Sequence, residues 1–177
     1  TVLDPFCGTG VVLQEALLMG YSAYGTDISP KMVEYSTENI LWLRERWESA
    51  KEYCRIELGD ATSFKWKQPI NIVAGETYLG QPISMMPDRE KLNRLIAETN
   101  ELHKKTLQNL ASQLEKGTRL CLAVPTWRTQ KGFARLPILD QIEKLGYNLI
   151  DFELVSAKRL IYAREDQIVG RELVTIV

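Results

Sequence analysis

The feature that most constrains this chain is a glycine-containing turn placed between a short apolar strand and a helix. The strand pattern covers residues 1–4, the turn reads Asp-Pro-Phe-Cys-Gly-Thr-Gly over residues 4–10, and apolar residues at helical spacing follow up to Gly20. Glycine allows left-handed backbone and close approach to a ligand, and the first turn of a helix presents free N–H groups. This order predicts the first unit of an α/β sheet, with a ligand site at the carboxyl end of the strand.

The rest of the chain alternates between strand and helix patterns. Further strands are expected at residues 21–26, 55–58, 70–74 and 120–124, and helices at residues 30–47, 88–115 and 133–145. The last thirty or so residues hold two extended runs around the polar turn 164–167, which predicts an antiparallel hairpin. The sequence therefore predicts an α/β, Rossmann-like fold: a mostly parallel sheet with helices on both faces and an antiparallel C-terminal hairpin.

Length and composition restrict the class of protein. The 177 residues fit one domain, and a net charge of −1 gives no global basic surface for nucleic acid, although a local patch could supply one. The three cysteines form no metal-binding cluster, which favours a reducing, cytoplasmic setting and no metal. No apolar run is long enough to predict a membrane helix. Because residue 1 already lies in a strand pattern, we expect residues 1–177 to be one domain of a longer chain.

Three early strands each end in an acid: Asp4, Asp27 and Asp60. The turn lacks the third glycine of G-x-G-x-x-G, and an acid beside it would repel a pyrophosphate, so a nicotinamide-dependent oxidoreductase is disfavoured. Asp4 suits an ammonium, Asp27 lies at the offset expected for ribose hydroxyls, and Asp60 is placed for an adenine amine. Together these groups describe S-adenosylmethionine. The alternative is that the acids are only caps and turn residues.

Residues 2–10, VLDPFCGTG, resemble the first motif of the amino-methyltransferases that modify guanine N2 in tRNA and adenine or cytosine amines in DNA. Residues 160–173 resemble the closing hairpin of the tRNA guanine-N2 methylases that carry an upstream THUMP RNA-binding domain. The resemblance implies a seven-stranded sheet, S-adenosylmethionine as cofactor, guanine N2 in tRNA as the first substrate and a DNA amine as the alternative. It implies cofactor contact for Asp4, Phe6, Cys7, Gly8, Thr9, Gly10, Asp27, Ile28, Asp60 and Ala61.

The chain departs from that family after the fourth strand, where the family has Asp/Asn-Pro-Pro-Tyr. This chain has Gly75-Glu76-Thr77-Tyr78-Leu79-Gly80. In one hypothesis the motif is a working variant: Glu76 accepts hydrogen bonds from the target amine, Tyr78 stacks on the base and Thr77 contacts the substrate. In the other, the domain binds cofactor or RNA without turnover.

Further substrate contacts are expected after the fifth strand. Trp127 and Arg128 are candidates for the substrate pocket. Basic residues fall after this strand and around the hairpin: Arg128, Lys131, Arg135, Lys158, Arg159 and Arg164. Those from Arg128 to Arg135, interleaved with Trp127 and Phe133, could contact an RNA backbone or stack a base, and the alternative is a solvated loop followed by a helix. The lone histidine, His103, is expected on a partly exposed helix surface, without a catalytic role.

Overall fold

The strands of the chain join into one sheet in the computed structural model, which describes residues 1–83, 85–155 and 160–177. Seven strands lie in the order β3-β2-β1-β4-β5-β8-β7, and β6 pairs with β5 beside this path. Pairs from β3 to β5 are parallel, whereas β5–β8, β8–β7 and β5–β6 are antiparallel. The strands are β1 Val2–Asp4, β2 Ala23–Asp27, β3 Cys54–Leu58, β4 Ile72–Glu76, β5 Arg119–Thr129, β6 Gly132–Ala134, β7 Ile161–Tyr162 and β8 Val169–Ile176.

Helices cover both faces of the sheet. The described α-helices are α1 Val11–Leu18, α2 Pro30–Arg46 and α3 Arg89–Ala111, and 3₁₀ helices span Glu48–Lys51 and Pro137–Leu145. Successive residues of a strand point to opposite faces. On β1, Val2 packs with the core formed by α1 and α2, and Leu3 packs with the core formed by α3 and the second 3₁₀ helix. Within the described residues, no helix is long and apolar enough to cross a membrane.

The predicted fold class is confirmed, and the differences lie at particular elements. β4 begins and ends two residues later than expected, so Gly75 and Glu76 lie inside the strand. β5 continues to Thr129 because β8 pairs with it over residues 120–127. Pro125 has no N–H to donate to a neighbouring strand. It is tolerated in β5 because β4 ends opposite Ala123, so that no strand lies on that side of β5 to accept a hydrogen bond from residue 125.

The helix expected over residues 133–145 is wrong over its first four residues. Gly132, at φ 114°, turns the chain back so that β6 pairs with the end of β5. Leu136 precedes a proline and is extended, at ψ 119°, because proline disfavours helical backbone in the residue before it. Helical structure therefore starts only at Pro137, and it is a 3₁₀ helix.

A buried ion pair fixes β8 against the segment that follows β6. The Glu172 side chain is fully buried, and both of its oxygens accept hydrogen bonds from Arg135 Nε, at 2.7 and 2.9 Å. Interaction with Glu172 raises the pKa of Arg135 further above its usual range. Arg135 is thus a structural residue, which corrects the expectation that it contacts an RNA backbone.

Replacing Glu172 with glutamine is expected to lower the free energy of unfolding by about 3 kcal/mol, because the largely buried Arg135 then keeps only the exposed Asp140, at 3.5 Å, as a charged partner. Urea denaturation of the variant measures this. Glu48→Gln is the matched control: it breaks an exposed pair with Lys51 and is expected to change stability far less. Equal losses in the two variants would contradict a special role for the buried pair.

Candidate functional site

The glycine turn after β1 is held by backbone hydrogen bonds. Cys7 N donates to Thr26 O at 2.9 Å and Gly10 N to Cys7 O at 2.7 Å, while Gly8 and Gly10 have φ values of 51° and 82°. From α2, Asn39 Nδ2 donates to Thr9 O at 2.9 Å. The turn is therefore a rigid loop at the carboxyl edge of the sheet, next to the start of α1.

The Cys7 side chain belongs to the hydrophobic core. Its side chain is buried with the α1–α2 core, and burial raises the pKa of its thiol to about 12. A thiol with so high a pKa is a poor nucleophile at neutral pH. Cofactor contact through the Cys7 backbone stays a prediction, as it does for Phe6, Gly8, Thr9 and Gly10.

Asp4 ends β1 with a carboxyl group that is 2% exposed. Its Oδ1 accepts a hydrogen bond from Phe6 N at 3.0 Å. Burial, helped by the negative charges of Asp27 and Glu76 and only partly offset by that hydrogen bond, raises the pKa of Asp4 to about 7. The site therefore holds a carboxyl group whose ionised form would be stabilised by a bound cation.

Asp27 ends β2, and its carboxylate bonds both the glycine turn and the residue just before α2. Its Oδ2 accepts from Gly8 N and its Oδ1 from Ser29 N, each at 2.9 Å. A carboxylate has about four acceptor positions, so Asp27 keeps capacity for two hydroxyl donors. The side chain of Ile28 beside it is 70% exposed and offers an apolar surface at the same edge.

Asp60 follows β3 and is exposed. Its Oδ1 accepts from Thr62 N and Thr62 Oγ1 at 2.8 and 2.7 Å, so it also shapes its own turn. The turn is fixed to α3 by Asn109, whose Nδ2 donates to Ala61 O at 3.0 Å. The reading of these acids as turn residues is thus correct for Asp27 and Asp60. It is compatible with ligand binding, since neither carboxylate is saturated.

Gly75 packs directly against Asp4. A Cβ at residue 75 would overlap Asp4 Oδ1 and lie 2.8 Å from its Cγ. The position therefore excludes any side chain unless Asp4 moves. The acid of the altered motif comes from the next residue, Glu76, at the end of β4.

The Glu76 carboxylate forms a two-point ion pair with Arg171 of β8. Arg171 Nε donates to Oε2, and Arg171 Nη2 donates to Oε1 at 3.2 Å. This pairing raises the pKa of Arg171 above its usual range. Each Glu76 oxygen retains acceptor capacity, so the pair fixes the carboxylate without saturating it.

Thr77 and His103 form a buried polar network under the motif. His103 Nδ1 lies 2.7 Å from Thr99 O, which can only accept, so Nε2 is left to accept from Thr77 Oγ1 at 2.7 Å. Burial lowers the pKa of His103 to about 4 and keeps it neutral. His103 is 3% exposed, so its expected surface position was wrong. Substrate contact by Thr77 stays a prediction, whereas its hydroxyl anchors the loop.

The predicted substrate residues differ in how exposed their side chains are. Tyr78, two residues after Glu76, is exposed. Trp127 is 1% exposed and lies in the main core, so its expected place in a substrate pocket is corrected: the indole reaches no ligand without opening that core. Arg128 lies over the Phe133 ring and donates to the carbonyls of Gln167 and Arg164, at 3.0 Å each. Lys158 and Arg159 lie outside the described residues.

Residues 1–146 match the family described as "Methyltransferase domain". The chain belongs to this family. Two relatives are both named tRNA (guanine(10)-N2)-dimethyltransferase. The protein from Pyrococcus abyssi is 34% identical over 149 residues, which are 84% of this chain and 38% of that protein. The protein from Methanothermobacter thermautotrophicus is 32% identical over 124 residues, 70% of this chain and 32% of that protein. The matched part thus spans less than two fifths of either relative.

The fold of this methyltransferase domain recurs in solved structures. Magnesium protoporphyrin IX methyltransferase from Synechocystis PCC 6803, with bound SAM, superposes with a TM-score of 0.63 at 17% identity. The match covers 99% of this chain and 68% of that protein. At this identity the likeness establishes the Rossmann-like methyltransferase fold.

The sequence patterns did not predict several residues that hold the site in place, because their hydrogen-bond partners lie far away in the chain. Arg171 lies 95 positions from Glu76, and Asn109 lies 48 positions from Ala61. Gln113 assists Asn109 by donating to Phe64 O at 3.0 Å. The sequence pattern that could have indicated them is local: Asn109 and Gln113 are polar residues four apart in the helix predicted over residues 88–115, which would place them on one face. In the structure that helix ends at Ala111 and Gln113 lies in the turn after it.

Gly75→Ala is expected to lower stability by roughly 1–3 kcal/mol, because the added methyl group overlaps the Asp4 carboxyl. The test is a double-mutant cycle followed by chemical denaturation. With Asp4→Ala in the background, the methyl group gains space and Gly75→Ala should cost much less. Additive effects would show that the two residues do not press on each other.

Proposed function

We propose that this domain transfers a methyl group from S-adenosylmethionine to an exocyclic nucleobase amine, with guanine N2 in tRNA as the target. The observation that carries the proposal is the set of acids at the carboxyl ends of β1, β2 and β3, with Asp4 buried behind a glycine turn. The names of the two relatives support tRNA guanine as substrate.

The residues at this edge fit the cofactor group by group. Asp4 supplies a buried carboxylate for the ammonium, Asp27 has free acceptor positions for ribose hydroxyls, and Asp60 keeps an oxygen for the adenine amine. The exposed Ile28 suits the apolar face of the adenine ring. When bound, the cofactor supplies an electrophilic methyl group on a sulfonium.

The residues after β4 orient the amine. A purine amine is a weak nucleophile because its lone pair is delocalised into the ring. Glu76 accepts an amine N–H and shifts electron density back to nitrogen, while the exposed Tyr78 packs against the base and holds it in line. The anchored Thr77 between them fixes the spacing of the two side chains.

The domain's near-neutral charge bears on how tRNA is bound. With a net charge of −1, little phosphate affinity comes from these residues. We propose that most tRNA affinity is supplied by an additional RNA-binding domain in the same protein. A DNA amine remains the alternative target, since the first motif is shared.

A cofactor-binding domain without turnover is the second candidate function. The observation that favours it is the altered motif, in which both prolines are missing and Glu76 is engaged by Arg171. Transfer of labelled methyl groups to total tRNA, compared with DNA, separates the candidates, and nucleoside analysis identifies the modified base. Methylated guanine in tRNA supports our proposal, whereas absence of label from both nucleic acids supports the silent domain.

Glu76→Ala is expected to reduce methyl transfer by at least about a hundredfold, because the amine loses its acceptor at the reacting nitrogen. Calorimetry should show nearly unchanged affinity for S-adenosylhomocysteine, since Glu76 does not belong to the cofactor residues. Glu57→Ala removes a partly exposed acid on β3 and serves as the control. Turnover of Glu76→Ala at the wild-type rate would rule out the catalytic role.

Cofactor affinity is expected to fall as pH decreases from about 7 to about 5, by up to tenfold per pH unit. The pKa of Asp4 is about 7, so below that pH its carboxyl group is protonated and must lose the proton to pair with the ammonium. Calorimetry in buffers of different ionisation enthalpy counts the released proton. Asp4→Asn should bind weakly without this pH dependence; an identical pH profile in the variant would refute the linkage.

A further inference from the structure

The ion pair between Glu76 and Arg171 bridges two strands that are not neighbours. Glu76 ends β4 and Arg171 lies on β8, with β5 between them. On β5, Ala123 pairs with Glu76 and Pro125 pairs with Arg171. These two β5 side chains are short, so the long side chains can meet above the intervening strand.

Negative charge accumulates around Glu76. Asp4 on β1 interacts with both Glu76 and Asp27 of β2, so three carboxyl groups share this edge of the sheet. Facing them is Arg171, which also interacts with Tyr162 on β7. Of the cationic groups that the structure describes, Arg171 is the one in ion-pair contact with this set.

The family's motif uses two prolines to stiffen the chain after β4, and this chain has neither. Its Glu76 side chain is half exposed and belongs to a residue type with considerable rotamer freedom. Two-point binding by a guanidinium is the interaction that fixes a carboxylate most completely in position and orientation. Arg171 therefore supplies rigidity at the side chain where the prolines would supply it at the backbone.

We propose that Arg171 is a positioning residue for the reaction: it holds Glu76 at the carboxyl edge of the sheet as an oriented acceptor for the substrate amine. This inference rests on the proposed function, because Glu76 is its acceptor. Arg171 touches neither cofactor nor substrate and acts through Glu76. Removing it leaves the Glu76 carboxylate mobile and beside Asp4 without compensation.

The test compares Arg171→Met and Arg171→Lys in the full chain. Arg171→Met keeps the length of the side chain but removes its charge, and Arg171→Lys keeps the charge but loses the two-point geometry. Arg55→Met is the matched control, because Arg55 is a strand arginine paired at 2.8 Å with Glu57 near the opposite edge of the sheet.

The first readout is independent of turnover. The mobility of the Glu76 side chain is followed by NMR relaxation of ¹³C-labelled glutamate, with assignment from Glu76→Gln. In Arg171→Met the Glu76 side chain should become markedly more mobile, since its two-point contact with the guanidinium is lost. Unchanged mobility of Glu76 would overturn the proposal. Should Arg171→Met fail to fold, Arg171→Lys carries the same test, with a smaller expected gain in mobility.

The second readout is kinetic. Arg171→Met should lower kcat for tRNA roughly tenfold to a hundredfold through misplacement of the acceptor. The KM for tRNA should change by less than about threefold, with Arg171→Lys intermediate in kcat.

Wild-type kcat together with a more mobile Glu76 side chain would overturn the positioning role. A wild-type protein that transfers no methyl group would instead overturn the proposed function, and the NMR relaxation measurement would still decide whether Arg171 holds Glu76.

Discussion

The carboxyl group of Asp4 is buried at the end of β1, and its neighbours are arranged around the need to accommodate it. The glycine turn donates a backbone N–H to it, and Gly75 leaves it space by having no side chain. A carboxyl group in such a place ionises reluctantly, which makes it selective for a cationic partner. It also restricts β4: because residue 75 can carry no side chain, an acid near the end of that strand has to come from residue 76.

A second buried polar unit, the network of Thr77 and His103, supports the loop that follows. Thr77 N donates to Ala123 O of β5 at 3.0 Å, Thr77 Oγ1 donates to His103 Nε2 at 2.7 Å, and His103 connects this point to α3. A neutral imidazole with both nitrogens engaged costs little to bury. The loop carrying Tyr78 is therefore tied to a strand and to a helix, which offsets the absence of the prolines found in related motifs.

How much of this arrangement the sequence predicts depends on the range of the interactions. The turn at residues 4–10 and the strand-end acids were predictable, because strand ends and turns are encoded by neighbouring residues and parallel topology gathers them at one edge. The hairpin at β7 and β8 was predictable for the same reason. Trp127 and His103 were misplaced because an aromatic or polar residue beside an apolar pattern can face either way. Arg171 was missed because no local pattern joins residue 171 to residue 76.

Adjacent residues of β8 carry opposite charges to opposite faces of the sheet: Arg171 pairs with Glu76 on one face, and Glu172 pairs with Arg135 on the other. A slip of this strand by one residue would exchange the faces. Glu172 would then meet Glu76, and the Arg171 cation would replace an anion beside Arg135, so two attractions would become two repulsions. The opposite charges of Arg171 and Glu172 thus favour one register of β8 over the register shifted by one residue.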